Sequence, residues 1–94
     1  MPADLEEKTL RYEELLDAAL EAATVAPPAE TPMADAAEEC LAMAVSYLED
    51  GRHFRNDGDS VNALAAFSYG HGWLDAGARA GLLSVPKEGQ LFTV

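Results

Sequence analysis

From Ser60 to Gly81 the chain reads SVNALAAFSYGHGWLDAGARAG, a segment of helical periodicity threaded with Gly70, Gly72 and Gly77 and stopped by Gly81. Each interior glycine costs a helix about 1 kcal/mol relative to alanine. A helix that keeps three of them gains something from the close approach of a neighbour. Its first face holds Val61, Leu64, Phe67, His71, Leu74 and Ala78. The opposite face holds Asn62, Ala66, Tyr69, Trp73 and Ala80, and Asp75 and Arg79 are the segment's formal charges. A helix apolar nearly all round is buried on both sides. Either the other helices cover it, or part of it forms a surface between molecules.

Two further helices are expected. The first spans about residues 4–24, with Asp4 as N-cap and Glu6 and Glu7 in the first turn, where the helix dipole favours acids. Its apolar face is Leu5, Tyr12, Leu15, Leu16, Ala19, Leu20 and Ala23; Glu6, Glu13, Glu14, Asp17 and Glu21 line the other side. A proline-rich connection over 26–32 ends it, because prolines cannot continue a helix. Thr31 as N-cap and Pro32 at the first helical position start the second helix, over about 32–56. Its stripe is Met33, Ala37, Cys40, Ala44, Tyr47, Gly51 and Phe54, widened by Leu41 and Leu48. Asn56-Asp57-Gly58-Asp59 then makes a tight turn into the third helix, over about 60–80. So short a joint makes the two helices antiparallel neighbours. Residues 82–94 form an arm whose last four residues favour a strand, yet no partner strand is evident. The arm docks on the bundle or reaches a partner, and Phe92 is its natural anchor. The expected fold is all-α: one domain over 1–94, a three-helix up-and-down bundle with a short extended C-terminal arm.

The run from Tyr47 to Leu83 resembles an archaeal family catalogued as domain of unknown function 357. Gly58-Asp59, Ala63-Leu64 and Gly72-Trp73-Leu74-Asp75-Ala76-Gly77 carry the resemblance. It implies a small three-helix up-and-down bundle and an archaeal source. It supplies no activity, cofactor or site residues.

Charge narrows the function classes. Seventeen acids face six bases, a net charge of −11, and Lys8 and Lys87 are the chain's lysines. Such a surface repels nucleic acid and attracts a basic partner. It is also what a protein in concentrated salt carries, where screening over a few Å removes self-repulsion. The spread of acids along the first two helices and the scarcity of lysine favour the second reading and a halophilic organism. No apolar run approaches the ~20 residues of a membrane span. The acidic N-terminus does not read as a signal peptide, and the lone Cys40 has no partner for an internal disulfide. A cytoplasmic protein is expected.

Two His–carboxylate ladders are candidate metal sites: His71 with Asp75, and Glu49 with His53 and Asp57, each at helical i,i+4 spacing. Buried or solvated structural roles explain both ladders more simply, and no cofactor is expected. Arg52-His53-Phe54-Arg55 is the one basic cluster, and pairing with nearby acids competes with any phosphate contact. Tyr69 and Trp73 are the residue types favoured as interface anchors, with Gly70 and Gly77 beside them to admit another helix. The function these features favour is a non-catalytic interaction module, binding an unidentified protein or a second copy through the third helix and the arm. A metal-binding domain or metal-dependent enzyme is the alternative, and an RNA-associated protein a weaker one.

The charge makes a direct prediction. The melting temperature followed by circular dichroism rises by many degrees between low salt and molar KCl. A flat response returns the acidity to partner recognition.

Overall fold

Each helix begins where a side-chain oxygen meets its free N–H groups. In the computed structural model, which describes residues 4–89, 91 and 92, α1 spans Leu5–Ala22, α2 Pro32–Asn56 and α3 Ser60–Arg79. Asp4 Oδ1 accepts from the Glu7 amide at 3.2 Å, and Asp59 Oδ1 from the Asn62 amide at 3.1 Å. Thr31 Oγ1 accepts from the Ala34 amide at 3.2 Å and donates to the Pro28 carbonyl at 2.7 Å, tying the proline-rich connection to the helix it starts.

The helix ends are equally specific. Gly58 and Gly81 follow α2 and α3 with φ of 79° and 78°, a left-handed conformation that glycine reaches without penalty. After α2, the Asp59 amide donates to the Phe54 carbonyl and the Gly58 amide to Arg55. After α3, the Leu82 amide donates to Gly77 and the Gly81 amide to Ala78. Both are Schellman closures, which satisfy carbonyls the helix leaves open.

α1 stops two residues earlier than its periodicity suggests. Ala23 is extended, and β1 (Thr24–Val25) pairs antiparallel with β2 (Leu83–Ser84). The Ala26 amide continues the ladder to the Leu82 carbonyl at 2.9 Å. A partner strand for the arm does exist, and it takes Leu83 and Ser84 at the arm's start; of the last four residues, expected to favour a strand, Thr93 and Val94 lie outside the described residues. Thr24 and Val25 are β-branched, and Ala26 precedes proline and is pushed from helical angles. The end of α1 is thus freed to receive the arm. Further on, Phe92 is buried in the core.

α3 is the central element, packed against both α1 and α2. Phe67, Leu16 and Leu74 are fully buried around it, with Leu83 closing one end. Glycines make this packing possible. A Cβ at Gly51 would lie 2.3 Å from Phe67 Cε1, one at Gly70 2.8 Å from Leu16 Cδ2, and one at Gly77 2.8 Å from Leu83 Cδ1. Three large side chains each sit where a neighbouring side chain would begin.

The buried stripes are shifted from those expected. On α3 the inward residues are Ala63, Ala66, Phe67, Gly70, Leu74 and Gly77, and Val61 is 66% exposed. On α2, Ala34 joins the buried residues and Met33 is exposed. On α1, Leu5 is exposed while Thr9 and Glu13 are buried. Small residues and glycines face the neighbours because close approach buries more than a bulkier stripe held farther away. Among the described residues no helix is long and apolar enough to cross a membrane.

Two glycines inside helices should respond oppositely to alanine. Gly51→Ala forces Phe67 from a closed core and should lower stability in urea melts by about 1–3 kcal/mol. Gly72, where a Cβ meets nothing within 4 Å, should gain up to about 1 kcal/mol in dilute solution. Equal effects at both positions would contradict this packing.

Candidate interaction surface

Turning its glycine-rich side inward leaves α3 with a bare outer side. Tyr69 is 66% exposed and Trp73 38%. They flank a shallow apolar groove of about 560 Å3 whose other lining residues are Ala65, Ser68, Gly72 and Ala76. The floor residues recur at spacings of three and four, so they form one row along the helix. None of the six lining residues carries a formal charge. Tyr69 is held from behind by Tyr47 of α2, the rings stacked at 5.7 Å and 22°. The groove therefore has a small-residue floor and an aromatic edge, with one edge ring already positioned.

Tyr69 and Trp73, read from the sequence as interface candidates, both reach solvent on this face. Gly70, Gly77 and Phe92, read the same way, do not. The two glycines face Leu16 and Leu83 inside the bundle, and Phe92 is buried beside His71. Gly72, Ala65, Ser68 and Ala76 were missed. Their signal is present in the sequence as small residues at helical spacing opposite Phe67 and Leu74, but the sequence reading sets Gly70 and Gly77, not Gly72, beside Tyr69 and Trp73.

Four of the candidate metal ligands pair as His–Asp couples within single helices. His71 Nδ1 lies 3.2 Å from Asp75 Oδ2, and its Nε2 hydrogen-bonds the Leu91 carbonyl. Both ring nitrogens are engaged within the chain, one of them bracing the arm. His53 Nε2 lies 3.4 Å from Asp57 Oδ2 on an open surface, and Glu49 is exposed on the same helix. Among the described residues no group of three or more His, Cys, Asp and Glu side chains converges as a metal site requires. Cys40 is buried, and burial, aided by the charge of Glu39, pushes its thiol up and away from the reactive thiolate.

Arg52 and Arg55 are paired within the molecule, though not with the acids beside them in sequence. Both reach across to Glu13 of α1, Arg52 Nε at 2.8 Å from Oε2 and Arg55 Nε on Oε1. Arg52 also lies 3.3 Å from Asp17. Glu13, expected on the solvent face, is only 7% exposed. Burial alone raises its carboxyl. The hydrogen bonds and charges of the two guanidinium groups outweigh that and hold it below the usual carboxylate range.

The pattern of the family described as protein of unknown function (DUF357) matches residues 11–83. The chain belongs to this family. No curated protein and no solved structure shows significant similarity to it. The DUF357 match takes in the ion cluster at Glu13 and the whole outer face of α3, while Leu91 and Phe92 lie beyond it. Family membership carries no activity with it, so function has to be read from these surfaces.

The Glu13 cluster generates a pH prediction. On acidification the unfolded chain's Glu13 takes up its proton first, near the ordinary ~4.3, and the folded carboxylate only at lower pH. The stabilisation is therefore present at neutral pH and lost as pH falls through that window. Glu13→Gln should be less stable than the parent by about 1–2 kcal/mol at pH 7, a modest value because both guanidinium groups are partly in water. The gap should close below about pH 4. A gap independent of pH would remove the charge from the explanation.

Proposed function

We propose that this protein is a non-catalytic helical interaction module that works through the outer face of α3. One observation carries the reading: an uncharged groove edged by Tyr69 and Trp73 lies open on a chain of net charge −11. Aromatic side chains at a patch rim are costly to leave in water and favourable to bury against a partner. The rest of the molecule supports it. The glycine-packed side of α3 and the stacking of Tyr47 on Tyr69 hold the groove in place, so it is preorganised rather than assembled on binding. The arm contributes as a brace, through Leu91 on His71 and Phe92 in the core. A reducing, salt-rich cytoplasm fits the free, buried Cys40 and the scarcity of lysine.

A photo-crosslinking amino acid in place of Ser68, in cells that make the protein, tests this. A matched probe replaces Leu10, exposed on α1. One dominant adduct is expected from position 68, absent from position 10 and lost when Tyr69→Ala is added. Adducts alike at both positions, or none from either, would overturn the reading.

A further inference from the structure

We infer that the α3 groove takes an arginine side chain of another protein, its guanidinium stacked on Tyr69 and Trp73 and its methylene stem laid on the small-residue floor. The inference rests on the interaction reading above and names the chemistry of the partner.

Three observations select this occupant. The first is the ring faces. Tyr69 gives one face to Tyr47, 5.7 Å away, and is still 66% exposed, so the side turned from Tyr47 is open to water. Trp73 follows at i+4, where side chains on a helix are neighbours. Aromatic faces carry the negative part of the ring quadrupole and attract cations, Trp most strongly. The chain makes one such contact within itself: Lys8 Nζ lies over the Tyr12 ring, 5.9 Å from its centre.

The second is charge complementarity. A net charge of −11 concentrates cationic groups near the surface and repels acidic ones. Asp50 is exposed on α2, one helical turn from Tyr47, which sets a carboxylate on the side of the aromatic edge. The basic cluster in the same stretch of α2 is directed elsewhere, because Arg52 and Arg55 are held by Glu13 of α1.

The third is the lining. None of the six groove residues is a carboxylate, so a compact, strongly hydrated lysine ammonium meets no counter-charge inside the groove. A guanidinium is planar, weakly hydrated and stacks on aromatic faces. Its stem is apolar and lies along Ala65, Gly72 and Ala76 while the head reaches the rings, as long cationic side chains do on apolar surface.

Arginine also gives the contact a distinctive salt dependence. At 1 M salt charges are screened within about 3 Å, which removes the long-range attraction to −11. Stacked groups exclude the ions between them, so the guanidinium contact persists where simple charge attraction is lost.

Trp73 is the chain's one tryptophan, so its fluorescence reports the groove directly. The test is a titration of the full chain with capped peptides of alternating alanine and arginine, up to 10 mM, in 0.1 and 2 M KCl. Matched peptides carry lysine, or citrulline, which keeps the planar shape and removes the charge. In 2 M KCl a saturable response to the arginine peptide is expected, at least tenfold tighter than to either counterpart. Tyr69→Ala should weaken it at least fivefold. So should Gly72→Leu, which fills the floor at a position where a Cβ meets nothing within 4 Å. Leu10→Ala should not change it. No saturable response to the arginine peptide in 2 M KCl overturns the inference. So does citrulline or lysine binding as tightly as arginine there, or binding indifferent to both groove variants. The crosslinking at position 68 separates the two levels. A partner protein joined through a segment without arginine leaves the interaction reading standing and removes the guanidinium; no adduct removes both.

Discussion

The seating of large side chains on glycine determines the rest of this structure. Phe67 lies on Gly51, Leu16 on Gly70 and Leu83 on Gly77. Each contact needs a missing Cβ, and each draws α3 nearer to a neighbour than an alanine would allow. The gain is dense packing from a short chain, in which a 94-residue domain otherwise buries little. The cost is that α3's inward stripe consists largely of small residues. Its remaining apolar surface, including Tyr69 and Trp73, is left on the other side. Two helices, a two-residue ladder and the arm are enough to cover one face of α3 and not both.

The second constraint is electrostatic. Where six bases serve seventeen acids, placing two of them on a single carboxylate is costly in surface charge balance. Arg52 and Arg55 nevertheless converge on Glu13, with Asp17 at the edge. This pairing links α1 to α2, whose mutual packing is slighter than that of either with α3. A buried carboxylate without those guanidinium groups would oppose folding. The pair therefore fixes where α1 lies along the bundle, and the surface acids remain in water.

Much of the architecture was legible in the sequence because it rests on local chemistry. Asp4, Thr31 and Asp59 cap helices for reasons visible within three residues. Gly58 announced a left-handed stop through the turn around it. What was not legible depends on distance along the chain. Glu13 and its arginines are separated by 39 and 42 residues, and nothing near Glu13 marks it as different from Glu14. The β1–β2 ladder joins residues about 60 apart, and two-residue strands leave no periodicity to read. The glycines were legible as a group but not one by one. Gly70 and Gly77 have large side chains against them and Gly72 has open space, a distinction set by rotation about the helix axis. Assigning the stripe to Val61, Leu64 and His71 rather than Ala63, Ala66 and Gly70 follows hydrophobicity, whereas the fold follows fit.

The same rotation links the interior to the surface. A helix whose bulky apolar residues all face inward leaves a polar exterior. α3 instead spends small residues on the inside, so its outer side keeps an apolar character that no acid interrupts between Asp59 and Asp75. On a neutral protein such a patch would attract many surfaces indiscriminately. On a chain of −11 it is shielded at long range by repulsion and becomes accessible only to a surface that tolerates the surrounding acids or meets them through screening salt. On the proposed reading, the acids repel other acidic surfaces at long range, and the uncharged row along Ala65, Ser68, Gly72 and Ala76 is where a partner would bury Tyr69 and Trp73.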